Sequence, residues 1–127
     1  MILLLDTTVL VDILRRRKNR VALMEELTDM GHRITTSTMC VAEVYAGMRS
    51  GEETRTQGLL AGISCYPISM TIAERAGTLK CEWASKGRTL TLTDMMIAAT
   101  ALEHGLRLVT DNRKDFPMEE LAFYPLP

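Results

Sequence analysis

The sequence predicts an α/β domain with a mainly parallel sheet and helices on both faces. Two observations predict it. Short apolar runs suited to buried strands alternate with segments of helical character along the whole chain. Two of the strand candidates run directly into an acid: Asp6 after residues 2–5, and Asp111 after residues 106–110. In such sheets ligands bind beyond the carboxyl ends of the strands, so acids there mark a candidate site.

The elements follow in order. Residues 2–5 are all apolar, as a strand buried on both faces requires. Residues 8–17 have helical character, with Val9, Leu10, Ile13 and Leu14 apolar. Asn19 is placed to cap a second helix that stops near Gly31. Residues 33–36 read as a short strand edged with threonine. A helix over 38–48 draws its apolar surface from Met39, Val41, Val44, Tyr45 and Met48, and 52–60 is helical beyond Gly51. Residues 64–68 form a strand candidate, at an edge because of Pro67. Thr71 and Glu74 have capping-box spacing for a helix reaching Ser85, and Gly87 ends it. Thr93 reads as the cap of a helix over 94–104 that Gly105 terminates. A strand at 106–110, a polar turn at 111–117 and a short strand at 122–124 complete the chain.

Length and composition bound the function. The 127 residues fit one domain, spanning 1–127, with room for a real core. The net charge is −1, so nucleic acid would have to be held by local cations or through metal ions rather than by bulk charge. One local cluster exists: Arg15, Arg16, Arg17, Lys18 and Arg20. It is either a solvated helix end or a place for an anion, since charges this dense repel one another. Cys40, Cys65 and Cys81 lack metal-ligand or redox spacing and read as reduced core residues of a cytoplasmic protein. His32 and His104 read as residues at helix C-termini. The N-terminus has neither a basic n-region nor a long apolar run, so no signal peptide or membrane contact is expected.

Sixteen acids are present, and those embedded in apolar sequence stand out, because burying a charge is costly without a partner. Asp6 lies between Leu3-Leu4-Leu5 and Thr7-Thr8-Val9-Leu10. Glu43 is the only charge between Arg33 and Arg49. Asp94 precedes the apolar run Met95-Met96-Ile97-Ala98-Ala99. Each has a plainer reading: Asp6 and Asp94 as first-turn helix acids, Glu43 as a lone exposed residue, and Asp111 with Asn112 as a turn. Asp12 reads as exposed on the first helix. As a set, however, three or four carboxylates converging from separate elements cannot all stay ionised without a counter-charge. A hard divalent cation with oxygen ligands answers that need, and such a site can activate a water and offset charge on a phosphodiester. No Ser–His or Cys–His pair competes, and no G-x-x-x-x-G-K-[ST] loop is present.

Four segments in order carry a family resemblance: Leu-Leu-Leu-Asp-Thr-Thr-Val-Leu-Val-Asp at 3–12, Val-Ala-Glu-Val-Tyr-Ala-Gly at 41–47, Leu-Thr-Asp-Met-Met-Ile-Ala-Ala-Thr-Ala at 92–101, and Gly-Leu-Arg-Leu-Val-Thr-Asp-Asn-Arg-Lys-Asp-Phe at 105–116. The sequence resembles PIN domains, and within them VapC-type toxins. The resemblance implies a three-layer α/β/α sandwich and Mg²⁺- or Mn²⁺-dependent cleavage of RNA, a transfer RNA or another RNA of translation. It implies a homodimer and a cognate antitoxin that inserts a segment into the site. It also implies that Asp6, Glu43 and Asp94 bind the metal. The fourth position falls at Asp111 or Asn112; Asp111 is favoured because it is ionised, and Thr110 would orient the first acids. Arg113 with Lys114, or the cluster at 15–20, would hold flanking phosphates. The alternative is a PIN-like module that binds RNA or a partner without cutting. A haloacid-dehalogenase-like phosphatase would need a second Asp where Thr8 stands. A phosphoacceptor receiver would need paired N-terminal acids and a late strand-end Lys, and neither is present.

Overall fold

Apolar strands too short to stand alone set the architecture. The computed structural model describes residues 1–127. Its strands are β1 (Ile2–Leu5), β2 (Arg33–Ser37), β3 (Ser64–Tyr66) and β4 (Arg107–Val109). Its helices are α1 (Thr7–Leu14), α2 (Arg20–Asp29), α3 (Thr38–Ala46), α4 (Glu53–Ala61), α5 (Met70–Ser85) and α6 (Leu92–His104), with a 3-10 turn at Arg113–Asp115. The four strands pair in parallel in the order β3-β2-β1-β4. A single parallel bridge from Phe123 to Leu108 adds the last segment outside β4, which is all that forms of the strand expected at 122–124.

The central position of β1 explains its composition. Leu3, Leu4 and Leu5 are buried because the strand has neighbours on both edges and helices on both faces. Leu5, Ile34 and Val109 share one wall with Val9, Ile13, Leu23 and Met24 of α1 and α2. The chain steps outward from β1 to β3, then returns across the sheet to β4. Right-handed crossovers then assign α1–α4 to one face and the packed pair α5–α6 to the other. One cluster of 24 buried apolar residues joins the layers. No helix is long and apolar enough to cross a membrane.

Several local expectations are corrected. Asn19 occupies the N-cap of α2 but in the left-handed conformation (φ 56°), and its side chain makes no capping bond. The cap of α5 is Ser69, whose hydroxyl accepts from the Ile72 amide, not Thr71. The cap of α6 is Thr91, not Thr93: its hydroxyl accepts from the Asp94 amide. In both cases a hydroxyl earlier in the chain reaches a free amide of the first turn, and the helix begins sooner. Cys40 is buried, but Cys65 and Cys81 are exposed, so only one cysteine belongs to the core. Asp12 is buried instead of exposed, and Lys18 Nζ lies 3.6 Å from its carboxylate.

The basic stretch after α1 is largely consumed by ion pairs. Arg15 donates from Nε to Glu52 Oε2 at 3.2 Å and also reaches the Gly47 carbonyl. Glu52 Oε1 accepts from the Arg49 amide at 2.7 Å, so this carboxylate ties the α3–α4 loop to the end of α1. The Arg15 hydrogen bond, then the Arg49 amide, lower the Glu52 pKa from 4.5 to about 2. A depressed folded-state pKa gives stability that is complete above 4.5 and lost as pH falls toward 2. Glu52→Gln is therefore expected to melt slightly below the wild type at pH 7, by no more than a screened surface pair contributes. The gap should narrow as pH is lowered from 4.5 toward 2; a gap independent of pH would remove the ion pair as its cause.

Candidate active site

The chain reverses its direction of travel across the sheet between β1 and β4, and a crevice opens there beyond the strand ends. Asp6 sits at that point. Its amide donates to the Val109 carbonyl at 3.0 Å, continuing the β1–β4 ladder by one residue. The next residue starts α1, with Asp6 as its N-cap: Oδ1 accepts from the Thr7 amide at 2.8 Å. The helix-cap reading therefore holds for this residue, and it leaves Asp6 a candidate for the site as well.

The other oxygen of Asp6 is held too. Thr110 Oγ1, buried one residue past β4, donates to Asp6 Oδ2 at 2.7 Å and accepts from the Asn112 amide at 3.0 Å. Thr7 performs a parallel role: its hydroxyl donates to Glu43 Oε1 at 2.7 Å. Glu43 lies in the middle of α3, which Ser37 starts by accepting from the Cys40 amide. Two threonines thus fix two carboxylates from different elements against each other.

Asp94 completes the group from the first turn of α6. It is half-buried, and burial raises its pKa against the hydrogen bond at Thr91. Asp115 and Glu43 then raise it further by their charges. Burial likewise pushes Asp6 up, against the Thr110 and Thr7 bonds, with the charges of Asp94 and Glu43 adding to the rise. The charges of Glu43 and Asp94 therefore bear on Asp6, and those of Asp115 and Glu43 on Asp94, which places Asp115 on the Asp94 side of the group.

Asp111, the fourth acid expected from the sequence, is held elsewhere. Arg20 donates from Nη2 to Asp111 Oδ1 at 2.7 Å, and Lys18 Nζ lies 3.7 Å from Oδ2. A carboxylate with two cationic partners has no need of another. Asn112 contributes its amide to Thr110, and no bond from its side chain forms. Asp115 did not stand out in the sequence because residues 111–117 read as one featureless polar turn. Its one local signal is that it stands directly before Phe116, which is buried; unlike Asp6, it has charged residues on its other side.

The donor set suits a hard cation. Every ligand candidate is an oxygen, and none of Asp6, Glu43, Asp94 and Asp115 pairs with a Lys or Arg, although all five ion pairs of the protein involve other acids. The side chains form no ready-made cage of three or more ligands around one ion. The arrangement defines a class: an α/β protein with a convergent carboxylate cluster at the switch point of a parallel sheet.

Comparison with known proteins names the family within that class. The PIN domain model matches residues 3–123. The chain is 32% identical over 115 residues to ribonuclease VapC19 of Mycobacterium tuberculosis, covering 91% of this chain and 92% of that protein. It is 27% identical over 120 residues to ribonuclease VapC2 of Haemophilus influenzae, covering 89% and 88%. A solved toxin–antitoxin complex from Klebsiella pneumoniae superposes with a TM-score of 0.76 at 31% identity, over 97% of this chain and 98% of that one. VapBC2 of Rickettsia felis bound to a promoter DNA fragment superposes with a TM-score of 0.83 at 24% identity, over the whole of both chains. The chain belongs to the PIN domain family.

Proposed function

We propose that this protein is a Mg²⁺- or Mn²⁺-dependent endoribonuclease of the toxin type, silenced by a cognate antitoxin. The observation that carries the reading is a buried Asp6 fixed by two hydrogen bonds, with Glu43 and Asp94 close enough to act on it, Asp115 beside Asp94, and none of the four in an ion pair. Relatives named ribonuclease at 32% identity and a toxin–antitoxin complex at 31% support it. The substrate belongs to the RNAs of translation, transfer RNA first, and the protein works as a homodimer.

Bound there, a divalent ion would supply Lewis-acid chemistry, lowering the pKa of water and offsetting charge on the phosphodiester. The chain's own part is positioning. Thr110 and Thr7 aim one oxygen each of Asp6 and Glu43, leaving their remaining lone pairs for the cation. Asp94 and Asp115 face the same space from α6 and the 3-10 turn. Burial, and after it the charges of the neighbouring acids, raises the pKa of Asp6 and Asp94, so a cation beside them would favour their ionised forms.

RNA cleavage by purified protein tests the reading: cutting with Mg²⁺ or Mn²⁺ that EDTA stops is expected, and cutting that persists in EDTA would reject it. The assignment of the fourth acid has its own test. Asp115→Asn is expected to lower kcat/KM by about 100-fold, the scale for a group that supports a metal site. Asp111→Asn should lower it only a few-fold. The reverse ranking would return the fourth position to Asp111.

A further inference from the structure

We propose that the open cleft between residues 110–114 and residues 125–127 is the subsite for a nucleotide of single-stranded RNA flanking the scissile phosphate, with Arg113 and Lys114 on its backbone phosphate. The inference rests on the ribonuclease reading above and adds the place and direction in which substrate leaves the acids.

The cleft adjoins the acid cluster through one residue. Thr110, whose hydroxyl holds Asp6, lines it along with Asp111, Arg113, Lys114 and the 125–127 segment. Its volume, about 590 Å³, is in the range that small organic ligands fill, and far more than an ion needs. Its charge suits a phosphate. Asp111 is the one acidic side chain in its wall, and Arg20 and Lys18 already neutralise it. Arg113 and Lys114 are exposed and engaged with no carboxylate, so the free charge facing the cleft is positive.

The platform is built before any ligand arrives. The Arg113 guanidinium lies 4.7 Å from the centre of the Phe123 ring, which fixes its direction and reduces the ordering cost of binding. Arg88 donates to the Lys114 carbonyl, tying the 3-10 turn to the loop that leads into α6 and Asp94. Asp115 follows Lys114 on that same turn, so a phosphate at Lys114 places the adjoining stretch of the strand at the acids. Leu126 with its flanking prolines gives the base an apolar surface.

The rival cationic stretch offers less. Arg15 is spent on Glu52, Lys18 lies between Asp12 and Asp111, and Arg20 is buried; only Arg16 and Arg17 remain free. A protein of net charge −1 must hold a polyanion by such local groups, so the choice between the two stretches is a choice of path.

The experiment is cleavage of a fluorescent single-stranded oligoribonucleotide with Mn²⁺, measured as kcat/KM against KCl concentration. Four proteins are compared: wild type, Arg113→Ala/Lys114→Ala, Arg113→Lys/Lys114→Arg and Arg16→Ala/Arg17→Ala. The first double variant should lose about 10-fold or more in kcat/KM, mainly through KM. The slope of log(kcat/KM) on log[KCl] should fall by roughly 1.4, or about 0.7 for each single-strand phosphate released. The charge-preserving pair should restore both, and the Arg16/Arg17 pair should change neither. Lys114→Ala alone, which removes no aromatic contact, should carry about half the change in slope even if Arg113 proves necessary for folding. An unchanged slope in Arg113→Ala/Lys114→Ala, or a loss that appears in the Arg16/Arg17 pair instead, overturns the subsite while wild-type cutting upholds the nuclease. An RNA duplex that competes as well as the single strand overturns the single-strand assignment. A wild-type protein that cuts no RNA rejects the ribonuclease reading itself, and the subsite with it.

Discussion

Asp6→Asn is expected to lower RNA cleavage by about 10³-fold or more with little loss of folding stability. The size follows from what the residue does. Electrostatic groups aimed at developing charge contribute roughly 3–4 kcal/mol each, and a residue that also holds the ion adds to that. The tolerance follows from its second role. Asp6 is the N-cap of α1, accepting from the Thr7 amide, and asparagine is as good a cap as aspartate. The amide also has a partner in Thr110, whose hydroxyl is free to accept once no carboxylate demands its proton. What disappears is a buried negative charge that burial and two acid neighbours already disfavour. Circular dichroism and thermal melting with and without Mn²⁺ separate the two roles. Mn²⁺ should raise the melting temperature of the wild type and leave that of Asp6→Asn unmoved. A variant that still gains stability from Mn²⁺ and has lost cleavage would place the ion elsewhere; a variant that unfolds would make Asp6 a structural residue first.

This dual role also shows why the site was partly legible in the sequence. Asp6, Glu43 and Asp94 announce themselves as charges inside apolar runs, and each sits on an element whose start is dictated locally: a strand end, a Ser37 cap, a Thr91 cap. Their convergence needs only the order of the elements, which alternating strands and helices already define. The fourth acid is different. Its place depends on whether the chain after Thr110 runs straight or coils, and the 3-10 turn at Arg113–Asp115 carries Asp115, not Asp111, toward Asp94. No periodicity is visible in three residues. Asp12 illustrates the same limit on the first helix. Lys18 comes back to within 3.6 Å of the Asp12 carboxylate through a loop with left-handed backbone at Arg16, Lys18 and Asn19, and side-chain pattern alone does not encode such a loop. The strand expected at 122–124 shrinks to one bridge because Pro125 follows immediately and has no amide to donate.

That loop leads to the largest stability effect expected. Arg20→Ala should cost about 3 kcal/mol, a fall of roughly 10 °C in melting temperature, whereas Arg20→Met should cost about 1 kcal/mol or less. Arg20 is 4% exposed, and its stem packs in the wall formed by Val9, Ile13, Leu23 and Met24. Alanine leaves that wall a cavity; methionine fills it. The guanidinium itself is poorly compensated. One nitrogen reaches Asp111, but Nε is buried with no partner, a cost of about 1–3 kcal/mol that methionine removes. Asp111 is not left alone in either variant, because Lys18 remains beside its other oxygen. The ion pair therefore adds little net stability, as buried pairs commonly do, and its value lies in what it orients. It pins a strained loop to the residue after Thr110, and Thr110 is what holds Asp6. Arg20→Met should thus nearly keep its melting temperature and still lose a few-fold in cleavage, as Asp111→Asn does, with KM nearly unchanged. Urea unfolding and steady-state kinetics on the two variants decide the matter. Equal destabilisation by alanine and methionine would mean that the charge, not the stem, holds α2 in place. A methionine variant with full activity would mean that Thr110 keeps its aim without help from Arg20.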